Sequence, residues 1–112
     1  ITGATGAQGI SNFVATGTIS NGATVVINTD GTISAANSNL TAENYIGIAA
    51  EAISDGSPGN INVIGGVNSG QSSLTAGKRY YVQLDGSLAL TPADPVVFAG
   101  TSVGTTKIIV KG

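Results

Sequence analysis

"VVINTDGTISA", residues 25–35, and "YYVQLDGSLAL", residues 80–90, decide the fold. Each is a run rich in β-branched or aromatic residues, then an aspartate-glycine pair, then a second short apolar run. Val, Ile, Tyr and Thr fill a pleated, half-buried surface well, and glycine after aspartate accepts the positive φ of a tight hairpin. Both stretches therefore read as β-hairpins. The second lies over the first at a spacing of 55, the distance from Asp30 to Asp85.

A weaker likeness continues along the chain. Tyr45-Ile-Gly-Ile-Ala-Ala lies over Val97-Phe-Ala-Gly-Thr-Ser at a spacing of 52, and Ile61-Asn-Val-Ile-Gly-Gly over Lys107-Ile-Ile-Val-Lys-Gly at 46. The falling spacing reads as shorter connections in a second copy, which loops tolerate. Duplication of one unit and the pattern common to any two hairpins both fit.

Strands are predicted over 13–19, 23–28, 32–35, 45–53, 60–67, 79–84, 87–90, 96–101 and 107–110. Asn21-Gly22 reads as a further tight turn, and residues 55–59, "DGSPG", as a longer loop. No helix is expected, because no window keeps apolar residues at the 3.6 period without a glycine or a β-branched run interrupting it. The expected fold is all-β: a single small antiparallel barrel or sandwich, whose closure hides strand edges that would invite aggregation.

Composition narrows the function. A chain of 112 residues suits one compact domain. Only 9% of its residues are charged, against about a quarter in an average soluble domain. Net charge is −2 with no basic stripe, which argues against nucleic acid as a partner. No apolar run approaches the ~20 residues of a membrane span, so no membrane insertion is expected. Cysteine and histidine are absent, removing disulfides, thiolates and imidazole ligands. Neither a metal nor an organic cofactor is expected. A monomer of this composition would expose a hydroxyl-rich, partly apolar skin, so much of that surface is expected to be buried between subunits.

The first ten residues, "ITGATGAQGI", place glycine at 3, 6 and 9. A triple helix needs glycine at every third position, because only hydrogen fits at its axis; a flexible glycine linker is the other reading. On the first reading, residues 1–10 form a collagen-like or extended stem and 11–112 the head. Gly3, Gly6, Gly9, Ile10 and Phe13 are then the expected trimerisation contacts.

Catalytic constellations are thin. Without His or Cys, only a hydroxyl beside Lys78 or Lys107 offers a nucleophile with a base. Among the carboxylates, Asp30, Asp55 and Asp85 each precede glycine and read as turn residues; Glu43 and Glu51 are left as candidates for a glycoside-cleaving pair. Glu51, in the apolar stretch "IAAEAI", reads equally as an outward-facing strand residue. Residues 100–107, "GTSVGTTK", fail as a phosphate loop, since the lysine does not follow the second glycine and no helix follows. "KRYYVQ", residues 78–83, sets two cations beside two aromatics, which suits stacking on sugars or ordinary packing. The expectation is that the chain is not an enzyme.

Residues 44–112 resemble the C-terminal module of bacteriophage virion fibres, especially tail-fibre and adhesin-like proteins of marine and cyanobacterial phages. The features that carry the likeness are Ile46-Gly47-Ile48-Ala49, the turn Leu74-Thr75-Ala76-Gly77 leading into Tyr80-Tyr81-Val82, the hairpin Asp85-Gly86-Ser87-Leu88, and the ending from Ala99-Gly100-Thr101 to Ile108-Ile109-Val110. Residues 11–40 depart from the pattern. The resemblance implies a homotrimeric β-rich fibre module on a short collagen-like stem, on the virion surface beside other virion proteins. Its task would be attachment to a host glycan or outer-membrane protein. Two alternatives remain: a capsid-decorating protein of similar type, and the trimeric head of a bacterial surface collagen-like protein. A start at Ile1 inside a glycine triplet reads as truncation or processing of a longer chain.

Receptor contact is expected from loops longer than a hairpin needs, namely 55–59 and 68–73. Asp55, Ser57, Asn68, Ser69, Gln71 and Ser72 are the candidates, since amides and hydroxyls suit the many donors and acceptors of sugars. Plain connecting loop is the alternative for both segments.

Overall fold

The structure is a computed structural model and describes residues 9–111. Ten strands form it: β1 (Ile10–Val14), β2 (Thr24–Ile27), β3 (Ile33–Ala35), β4 (Tyr45–Ala49), β5 (Pro58–Asn62), β6 (Val67–Asn68), β7 (Arg79–Val82), β8 (Leu88–Ala89), β9 (Phe98–Ser102) and β10 (Ile108–Val110). They make two five-stranded antiparallel sheets, in the orders β1-β5-β4-β2-β3 and β6-β10-β9-β7-β8. The second order is the first with every strand advanced by five. The chain is thus two structural copies of one five-stranded unit.

Register fixes the correspondence residue by residue. Val25 faces Gly47 and Tyr80 faces Gly100, and the ladder shifts by one residue immediately after each pair, after Val25 and after Tyr80. Hydrogen bonds outside the ladders repeat as well. Gly22 N–H donates to Ala49 O at 2.9 Å as Gly77 N–H does to Ser102 O at 2.9 Å; Val63 N–H donates to Gly9 O at 2.7 Å as Val110 N–H does to Gly66 O at 2.8 Å. The spacing is 55 through both hairpins, as the sequence predicts. Beyond them it is 53 and 47 rather than 52 and 46: the ladders set Tyr45 over Phe98, opposite Val26 and Tyr81, and Ile61 over Ile108, opposite Ala49 and Ser102.

The hairpins form as read. Asn28 N–H donates to Thr32 O at 2.8 Å, and Gln83 N–H to Ser87 O at 2.8 Å. Gly31 and Gly86 take φ of +85° and +84°, a region that costs glycine little and other residues more. Asp30 Oδ1 accepts from the backbone and hydroxyl of Thr32, and Asp85 Oδ1 from those of Ser87.

Packing joins the two units into one body. Ile19, Val25, Ile33, Ile53 and Ile61 fill the first unit, and Leu74, Tyr80, Ile108 and Val110 fill the second. Between them Val26 packs with Leu40, Val82, Val97 and Ala99. Successive residues of a strand point to opposite faces. Val25 therefore enters its own unit's core while Val26 enters the shared one, each burial stabilising the fold by roughly 1.5–3 kcal/mol.

Several boundaries differ from the sequence reading. The first strand begins at Ile10 and ends at Val14, because pairing of Ser11 with Ile61 and Asn12 with Asn60 overrides the weak strand propensity of Ser and Asn. β1 pairs with β5, so Asn21-Gly22 joins no hairpin; its turn carries the chain from the Ile19–Ile53 bridge into β2. Pro58 and Gly59 belong to β5 rather than to a loop, and residues 63–66 form a turn. Beyond β1 the chain also closes the first unit. Ala15 forms a parallel bridge to Ile33, Thr16 N–H donates to Ile33 O at 2.8 Å, and Ser34 Oγ donates to Thr16 O at 2.9 Å.

Candidate functional site

The segment that follows β6 was expected to present a polar loop, and its geometry is of another kind. Asn68 is 1% exposed. Its Nδ2 donates to Ala49 O and to Asn62 Oδ1, both at 2.9 Å; its Oδ1 accepts from Gly70 N–H and Gln71 Nε2, both at 3.0 Å. Gln71 Nε2 also donates to Gly22 O at 2.9 Å. Two donors and two lone pairs exhaust an asparagine amide. Asn68 and Gln71 thus fasten the second unit to the first, and the reading of Asn68 as an exposed receptor contact is corrected. Sequence length marked these residues as surplus loop; in the fold they span the seam between the units.

Ser69 and Ser72 are exposed. Ser69 borders a shallow polar cleft of about 290 Å³, shared with Asn21, Asn62 and Val67. Asp55 sits in an exposed turn, where its Oδ1 accepts from Gly17 N–H at 2.8 Å, and the carbonyl of the half-buried Ser57 accepts from Ala15 N–H at 2.9 Å. No hydrogen bond among the described residues links 55–59 with 68–73.

Of the expected trimer contacts, Gly3 and Gly6 lie outside the described residues. Gly9 has φ +73°, and a Cβ there would collide with the backbone of Gly66. A triple helix runs at φ near −75°, so Gly9 itself departs from that geometry and serves this close turn. Ile10 is exposed, and Phe13 is half-buried against the first core. Phe13 lines an apolar groove of about 310 Å³ with Tyr45, Ile46, Val63 and Ile64, and Lys111 stands at its edge. Ile64 is 68% exposed at the tip of the 63–66 turn. Sequence reasoning missed Ile46, Val63 and Ile64, although an isoleucine directly before the glycine pair of a turn, "NVIGG", is a signal of an apolar tip.

The titratable groups are mostly engaged in structure. The Thr32 hydroxyl and N–H hold Asp30 below the ordinary carboxylate range, and those of Ser87 do the same for Asp85. Burial pushes the Tyr45 hydroxyl up; it donates to Ala99 O at 3.1 Å. Glu51 is exposed, and its Oε2 accepts from Asn60 N–H at 2.9 Å. Glu43 borders a second cleft with Tyr45, Val96 and Phe98, whose ring lies under the Arg79 guanidinium at 5.6 Å. Among the described residues no three acidic groups gather where they would hold a metal, and no hydrogen bond joins a lysine ammonium to a hydroxyl.

No protein-family model and no curated protein sequence matches this chain.

Proposed function

We propose that the chain is a homotrimeric structural module of a virion fibre, serving host attachment. The observation that carries this reading is the apolar surface at the start of the head. Phe13, Ile46, Val63 and Ile64 line one groove, and Ile10 and Val14 are exposed on the opposite face of β1. In a chain with 9% charged residues, such a surface is better suited to meeting other copies than to meeting water. It also stands where the glycine-triplet segment joins the head, so three chains held together by that segment would bring three such surfaces to one axis. A rigid, duplicated β-scaffold suits a virion-surface part with no chemistry of its own.

Within this reading, host contact falls to the exposed groups around Ser69, Ser72 and the Asp55 turn, while Asn68 and Gln71 keep the scaffold rigid behind them. Three copies displayed together multiply a weak single-site affinity. The test is adsorption of the labelled assembly to host cells, with Ser69→Arg and Ser72→Arg combined in one variant. Adsorption reduced at least ~10-fold with unchanged melting supports attachment through this surface; unchanged adsorption removes it.

A further inference from the structure

The two units differ at one edge. In the first, Ile33 of β3 is met by the chain itself: Ala15 bridges to it, and Thr16 N–H reaches its carbonyl. The corresponding residue of the second unit, 55 positions on, is Leu88 of β8. Ser87 pairs inward, its carbonyl accepting from Gln83 N–H, and Ala89 faces Tyr81. Backbone groups alternate in direction along an antiparallel strand, so those of Leu88 and Leu90 point away from β7. Among the described residues no hydrogen bond reaches them from the outer side.

Chain length accounts for the difference. Ile19 N–H donates to Ile53 O at 2.8 Å and Leu74 N–H to Thr105 O at 2.9 Å, which makes Ile19 and Leu74 equivalent. Eight positions separate Ser11 from Ile19, but only six separate Asn68 from its counterpart Leu74. The second unit lacks the residues that would run along its own edge strand, and Gln71 is drawn to Gly22 instead. The edge is also unguarded. Leu84 and Leu90 are exposed beside it, and residues 86–91 carry neither charge nor proline. Proteins ordinarily protect a free edge with lysine, proline or a covering segment.

We infer that the β8 edge at Leu88–Leu90 receives an extended segment from a second copy of this chain, which completes the second unit as Ala15–Thr16 completes the first. The bridge at Ile33 is parallel. A β8 strand paired with β8 of a two-fold-related copy would be antiparallel, so the donor is a different part of the neighbour. A contact between unlike surfaces runs head to tail, and a rotation of one third of a turn closes it as a three-membered ring. The inference thus rests on the trimeric reading and supplies it with a second contact.

Amide hydrogen exchange on the whole chain tests it, beside a mass measurement of the same sample. Leu88 and Leu90 amides are expected to exchange at least ~100-fold slower in the assembly than in the dissociated chain. Leu90→Pro, which removes one outward N–H while leaving the Tyr81–Ala89 pair, is expected to weaken assembly at least ~10-fold. A trimer with unprotected Leu88 and Leu90 amides overturns the edge contact and leaves the trimer standing. Protection that persists unchanged in the dissociated chain assigns the edge to the chain's own residues and overturns it also. A chain that is monomeric throughout refutes the trimer itself.

Discussion

Gly47 and Gly100 occupy the same place in the two units. A Cβ on Gly47 would collide with the carbonyl of Asn62, and one on Gly100 with the carbonyl of Ile109, 47 positions further along. Each glycine lets a β5-type strand pass close behind a bulge. Gly47→Ala and Gly100→Ala are each expected to destabilise the fold by about 1–3 kcal/mol, since backbone must move to admit the methyl. Urea unfolding of the two variants checks this, and a cost below ~0.5 kcal/mol at both would contradict the shared geometry.

Asn68→Ala leaves the amide acceptors and donors of Asn62, Gly70 and Gln71 with fewer partners at a buried seam. A loss of about 2–3 kcal/mol is expected, against less than ~0.5 kcal/mol for Ser69→Ala and Ser72→Ala. Equal effects across the three variants, measured by thermal or urea unfolding, would contradict the assignment of Asn68 to structure.

Asp30 and Asp85 have lowered carboxyl pKa values in the folded state, through hydrogen bonds from Thr32 and Ser87. A depressed folded pKa contributes stability above the unfolded value of 3.8 and loses it as pH falls through the folded value. Stability is therefore expected to decline as pH is lowered from about 5 to about 2. The double variant Asp30→Asn, Asp85→Asn should show a shallower decline over that window in urea titrations.

The Tyr45 hydroxyl ionises less readily when folded than its unfolded value of 10.0, because it is buried. The unfolded chain therefore loses this proton first, and stability is expected to fall as pH rises above 10.0. Tyr45→Phe should remove that alkaline loss while costing about 1 kcal/mol at neutral pH for the bond to Ala99. Phe98, which stands at the equivalent position, shows that phenylalanine fits the strand.

The sequence revealed the all-β class and both aspartate-glycine hairpins, because hairpin chemistry is local: Gly31 and Gly86 state their φ by being glycine. It also revealed the repeat through the hairpins, yet misjudged the outer spacings by one. Register beyond the hairpins is set by which residues pair across strands, and no residue type announces it. β6 was missed for a similar reason, since two residues become a strand only when β10 lies beside them. Asn68 shows the same limit at the candidate site. An asparagine in a Ser-, Gly- and Gln-rich run reads as exposed loop, and only the tertiary approach of Ala49 and Asn62 makes it a buried fastener. Ile64 and Phe13 were legible as apolar residues, but not as two walls of one groove, because they are far apart in sequence and meet only through β1 and the turn after β5.

Assembly into a homotrimer is the claim on which attachment and the β8 contact both depend, and native mass spectrometry of the whole chain at micromolar concentration tests it most directly. A dominant species of three times 10.9 kDa is expected, shifted toward single chains when Phe13 and Ile64 are both replaced by aspartate. A single species of 10.9 kDa at every concentration tested would contradict it.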